Sequence, residues 1–150
     1  MARLREALEG AGYDDVRTLI QSGNVVFTAS TPDAKEIEAL IAAEFGVQTV
    51  AILRNVRQIR ALAGAHPFGR DTSRTHVSFL REKRKSARSS LASVAGDDEF
   101  TVVGGDVVVR YPTGYQSATL TAARIEKALG TAATARNWRT VEKLAELMRS

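Results

Sequence analysis

Leu4, Ala7, Leu8 and Ala11 recur at helical spacing, and Gly12 follows as a stop able to take the left-handed cap conformation. Val16 to Ile20 and Val25 to Phe27 read as two short strands, with Ser22, Gly23 and Asn24 supplying the reversal of a hairpin. The segment TPDAKEIEALIAAEF predicts a helix. Thr31 caps it, Pro32 takes its first position, and Asp33 and Glu36 suit its positive end. Ile37, Leu40, Ile41 and Phe45 form its buried stripe, and Gly46 ends it. Val47 to Leu53 then reads as a strand.

Asn55 and Gln58 have the spacing of a capping box, opening a helix with Val56, Ile59, Leu62 and Ala63 on one side. His66-Pro67-Phe68 stops it, because proline constrains the residue before it. Thr75 to Leu80 alternates as a strand, with Val77 and Phe79 facing one way, and Ala87, Leu91 and Val94 mark a helix. Phe100 to Val103 and Val107 to Tyr111 are strands of a second hairpin turned by Gly104-Gly105-Asp106. Two helices close the chain: Leu120 to Leu129, stopped by Gly130, and one capped by Asn137 with Trp138, Val141, Leu144, Ala145 and Met148 on its packed face. Hairpins set among helices predict an α+β protein rather than a doubly wound parallel sheet. The expected division lies around residues 64–74, giving two small packed domains, 1–64 and 65–150. The second should hold an antiparallel hairpin and terminal helices. No tandem repeat is visible in the sequence.

Composition narrows the classes. With 150 residues, 44% of them hydrophobic, 11 glycines and 3 prolines, the chain is neither collagen-like nor disordered. The absence of cysteine excludes disulfides, thiol catalysis and thiolate metal sites. The opening MARLREALEG is charged and amphipathic, unlike a signal peptide, and no apolar run approaches about 18 residues. A cytoplasmic protein with no membrane partner is expected. The net charge of +4 comes wholly from the second half, whose densest run, Arg81 to Arg88, holds five basic residues and one acidic. Such a run either attracts nucleic acid or serves as a solvated helix face. Arg54, Arg57 and Arg60 would strengthen the first reading if they shared its surface.

Two groups are candidate binding residues. Gln21, Ser22, Gly23 and Asn24 can present amides and a hydroxyl to a small ligand or phosphate, or can simply build the turn. Arg136, Asn137, Trp138 and Arg139 offer two guanidinium groups and an indole to an anionic, planar or nucleic-acid group. The competing roles there are a helix cap for Asn137 and an apolar stripe for Trp138. No phosphate-loop or dinucleotide pattern occurs, His66 and His76 lack zinc-site spacing, and no serine-centred triad is defensible. No cofactor or metal is expected. The residues predict a non-enzymatic binding or interaction protein whose partner is an anionic ligand, a protein or nucleic acid. Nucleic-acid binding through basic surfaces and an enzyme acting on a small molecule are the alternatives.

VRTLIQSGNVVF, HPF, DEFTVVGGDVVVRYPTGY, IEKALG and ATARNWRTVEKLAEL together resemble a bacterial family of uncharacterised proteins, DUF1697. The resemblance runs over essentially the whole chain. It implies a two-part α+β protein whose first part is ferredoxin-like. It also implies a further strand, central in the first sheet, ahead of the segment matched by Met1 to Arg5. The first domain is therefore expected to be an incomplete ferredoxin-like unit, either because the sequence is a fragment of a longer chain or because a shortened start is patched by another segment or a partner, self-association through the unfilled sheet position included. The family pattern has a basic residue near Thr119 and an amide near Ala122, both absent here. That puts in doubt any anion site at 116–122.

Overall fold

Four helices begin where a polar side chain takes up free amides, at Asp33, Asn55, Thr121 and Asn137. In the computed structural model, which describes residues 2–19 and 23–148, the order opens with α1 (Ala2–Gly10), β1 (Asp14–Leu19), β2 (Asn24–Thr28) and α2 (Ala34–Phe45). It continues with α3 (Val56–Ala63), β3 (Thr75–Leu80), α4 (Ala87–Ala92), β4 (Glu99–Val103), β5 (Asp106–Arg110), α5 (Ala122–Leu129), β6 (Ala133–Asn137) and α6 (Trp138–Leu147). The α+β class holds. No described helix is long and apolar enough to cross a membrane.

The chain divides into two compact units, the first ending at Leu53 and the second starting at Arg54. The sequence reading set the division after residue 64. In the structure α3 packs against α6, so the contacts of α3 lie with the second unit.

In the first unit β1 and β2 form a two-stranded antiparallel sheet, Arg17 opposite Val26 and Leu19 opposite Asn24. Leu8, Tyr13, Val16 and Ile37 make its buried centre. Asp33, rather than Thr31, caps α2: its Oδ1 accepts the Lys35 amide at 3.0 Å. The Tyr13 hydroxyl fixes that end, donating to Glu36 Oε1 at 2.7 Å and accepting the Asp33 amide at 3.3 Å. Burial, reinforced by the hydrogen bond to Glu36, raises the phenol pKa. The expected strand at 47–53 is absent. Those residues carry no strand assignment, although Ala51 and Leu53 pack against this unit's core.

In the second unit the four strands run β4-β5-β3-β6, every neighbour antiparallel. The succession β3-α4-β4-β5-α5-β6 is the complete ferredoxin-like arrangement, in the part of the chain where one strand, a hairpin and helices were expected. The missing piece in the sequence reading was β6, a run of Ala-Thr-Ala-Arg-Asn with no bulky β-branched residue to announce it. One sheet face carries Leu80, Val107, Val109 and Tyr111 against Leu91, Leu120, Ile125 and Leu129. Val77, Phe79 and Val108 point the other way and are also buried, with α6 against β3 and β6. Both faces are therefore covered.

Asn55 and Gln58 form the reciprocal capping box of α3, at 2.9 and 2.8 Å. Thr121 caps α5, and Gly130 closes it at φ 68° in the left-handed region. Arg84 then places its guanidinium on the Leu129 and Gly130 carbonyls, both at 2.9 Å, a cation at the negative end of a helix.

The strongest single pin is Arg54–Asp106. The guanidinium meets the carboxylate at 2.9 and 2.6 Å and also donates to the Leu80 carbonyl at 2.6 Å. Asp106 Oδ1 additionally accepts the Leu80 amide at 3.0 Å. The two side chains are only 16% and 3% exposed. The pair thus locks the entrance of α3 to the β4–β5 turn and to the end of β3. Removing one partner strands a desolvated charge, so Asp106→Ala should lower unfolding stability by about 3 kcal/mol, and Asp106→Asn by less. Urea denaturation followed by the fluorescence of Trp138, the single tryptophan, reads this directly. An unchanged midpoint would show that the pair contributes nothing.

Candidate functional site

The Arg136–Arg139 group sits where β6 turns into α6. Asn137 ends the strand, and its Oδ1 accepts the Thr140 amide at 2.8 Å, so its side chain is a helix cap. Trp138 is 2% exposed. Its ring stands edge-on to His66 with centroids 4.8 Å apart. The indole belongs to the dry interior, which corrects the expectation of a stacking surface. Apolar packing won because Trp138 starts the same stripe as Val141, Leu144 and Ala145. Arg136 is half-buried and donates to Thr134 Oγ1 at 2.6 Å and the Ala135 carbonyl at 2.9 Å. Burial lowers its pKa. Arg139 stays exposed on the first turn of α6.

His66 is similarly occupied. Its Nδ1 lies 2.7 Å from the Gly69 carbonyl, which can only accept, so Nδ1 carries the proton. In the neutral ring Nε2 then accepts the Thr75 hydroxyl at 2.7 Å. Of the hairpin candidates, Gln21 and Ser22 lie outside the described residues. Gly23 takes φ 64°, the left-handed conformation its turn requires, and Asn24 opens β2 opposite Leu19.

Much of the basic run is used inside the fold. Arg84 caps α5, Arg88 donates to the Val102 carbonyl at 3.2 Å, and Lys83 lies so close over Gly105 that a β-carbon there would meet its chain at 2.6 Å. Arg54 is held by Asp106, while Arg57 and Arg60 are exposed on α3. With both faces of the larger sheet covered, no open strand surface is left there for bases to stack on.

Two features went unread in the sequence. The first is an aromatic cluster at the start of β3. His76 stacks on Tyr115 at 4.5 Å with 17° between planes, and Tyr111 stands edge-on to both. Tyr111 is fully buried and donates to the Leu120 carbonyl at 2.7 Å, and burial raises its pKa. His76 Nδ1 is buried without a hydrogen-bond partner, and burial lowers the imidazole pKa. The residues come from β3, the end of β5 and the turn beyond it, so no sequence spacing signals them. The second is apolar exposure in the first unit: Phe45 at 38%, Val47 at 52% and Val50 at 52%. Helical spacing assigns Phe45 to the buried stripe of α2. In the structure its ring lies at the end of α2, with the Arg3 guanidinium 4.9 Å above it.

Among the described residues no three of His, Asp or Glu are grouped to hold a metal ion, and neither histidine has a carboxylate at ion-pair distance. The chemistry on display is packing, capping and backbone pairing.

A family model described as a protein of unknown function, DUF1697, matches residues 1–108. The chain is a member of the DUF1697 family. No curated protein matches it. Among solved structures, this DUF1697 chain is similar to the conserved bacterial protein SP0830 from Streptococcus pneumoniae, at 20% identity and a TM-score of 0.76. The likeness covers 99% of this chain and 88% of that one, and at this identity it shows the fold alone.

The aromatic cluster gives the DUF1697 protein a definite pH response. His76 has a folded-state pKa below its ordinary 6.5, so below that value the unfolded chain binds the extra proton first. Stability is therefore full above about pH 6.5 and falls as pH drops through the lowered value. Urea midpoints at pH 7.5 and 5.5 should differ more for the natural chain than for His76→Phe. Equal differences would show that His76 is not the group responsible.

Proposed function

We propose that this DUF1697 protein is a non-enzymatic interaction protein whose first unit engages another polypeptide through residues 45–53. The observation that carries the reading is the pairing of Val47 and Val50, each 52% exposed, with a stretch that has no strand assignment. Residues 46–53, GVQTVAIL, contain no charge at all. Water-exposed valines within an uncharged run are a binding surface in waiting rather than a solvated loop. The second unit offers a contrast, since its core residues fill both sides of its sheet and its Arg54 and Arg84 are held on carbonyls and a carboxylate.

Selection from a random-peptide display library on the full chain tests this reading. Peptides should be enriched whose binding falls at least about tenfold against a chain carrying Val47→Asp and Val50→Asp. These positions are exposed, so the double variant should keep its fold, verifiable by circular dichroism. Enrichment of nothing, or of peptides indifferent to the two substitutions, would overturn it.

A further inference from the structure

Two polar atoms on one face of β3 are sealed into the second unit without a hydrogen bond. Ser78 is fully buried, and its Oγ has no partner among the described residues. His76 Nδ1 is buried and equally unpaired. The two residues stand two apart in one strand, so their side chains leave the sheet on the same face. That face also carries Leu80, Val107, Val109 and Tyr111. Such positions lie roughly 6.6 Å apart along a strand. Two hydrogen bonds in series, each about 2.8 Å, come close to covering that distance.

The neighbours of the pair offer it no protein partner. Ser78 lies opposite Val107 of β5 and Ala135 of β6, a branched side chain on one side and a bare methyl on the other. His76 lies opposite Val109 and Asn137. The Asn137 Oδ1 accepts the Thr140 amide, and the Tyr111 hydroxyl, whose ring is edge-on to His76, donates to the Leu120 carbonyl. A buried group left dry forfeits the hydrogen bonds it makes to solvent in the unfolded chain. Holding one water molecule costs less than leaving two such groups dry, and buried waters in proteins lie where otherwise unpaired polar atoms converge.

We infer that the second unit binds one internal water molecule on this face of β3, which accepts from the Ser78 hydroxyl and donates to His76 Nδ1. His76 then carries its proton on Nε2. The bridge fixes the plane of the imidazole, and Tyr115 stacks on that plane at 4.5 Å. Tyr115 is exposed and opens the short helical turn Tyr115–Ser117. The water thus helps to tie a surface turn to the interior of the sheet. This inference concerns the second unit alone and is independent of the interaction reading above.

Oxygen-17 relaxation dispersion of the full 150-residue chain at neutral pH counts its long-lived waters. Ser78→Ala, which removes the hydroxyl without adding bulk, should lose one of them, and so should Ser78→Val, which also fills the place. Ser89→Ala, at an exposed serine of α4, should match the natural chain. Folding of each variant is followed by Trp138 fluorescence. Nitrogen-15 spectra of the imidazole supply the second readout. In the natural chain His76 should show a protonated Nε2 and a hydrogen-bonded Nδ1, and in Ser78→Ala the Nδ1 resonance should shift to that of an unbonded ring nitrogen. An unchanged water count in both Ser78 variants overturns the site. So does an unbonded Nδ1, or a proton on Nδ1, in the natural chain, a result that needs no variant to fold.

Discussion

A central strand must satisfy two ladders at once, and in the second unit β3 does so. Its amides and carbonyls pair with β5 on one side and β6 on the other, so the sheet has an inside. Its side chains serve both layers, Leu80 with the core under α4 and α5, Val77 and Phe79 on the opposite face. The Arg54–Asp106 pair then closes the end of the same strand, since Asp106 accepts the Leu80 amide and Arg54 holds the Leu80 carbonyl. Without this strand β6 would have no partner in the sheet and β5 would keep only its hairpin neighbour. In the first unit the residues after α2 join no ladder, and Val47 and Val50 are exposed.

The same accounting redirects the basic residues. A dense cationic run in a chain of net charge +4 invites a nucleic-acid interpretation. In place, Arg84 sits on the terminal carbonyls of α5, Arg88 on Val102 and Lys83 across a glycine turn. Arg84 and Arg88 meet backbone carbonyls, and at the end of α5 partial negative charge is already present. The covered sheet faces point the same way. The recognition surface proposed above lies instead in the uncharged part of the first unit.

Of the candidate binding residues, Asn137 and Trp138 were legible twice over in the sequence, as a ligand group and as a cap followed by a core position. The Thr140 amide on Asn137 and the edge contact between Trp138 and His66 are structural roles. The cluster of His76, Tyr111 and Tyr115 was invisible, because its members meet only when β3 and β5 pair and the following turn folds back. Asp33 took the cap expected of Thr31 because only geometry tells which of two nearby oxygens reaches the amides.

By itself the sequence determined what depends on near neighbours: helical faces, the capping box at Asn55 and Gln58, the glycine stops at Gly46 and Gly130, and the two hairpins. These follow from the local backbone and from polar groups three or four residues apart. Strand neighbours, sheet order and exposure were decided by tertiary structure alone. Residues 133–137, weak in strand character, became a strand because β3 offered them a ladder. Residues 47–53, apolar as a strand would be, did not, and the Ala51 amide donates instead to Glu38 Oε2 at 2.8 Å.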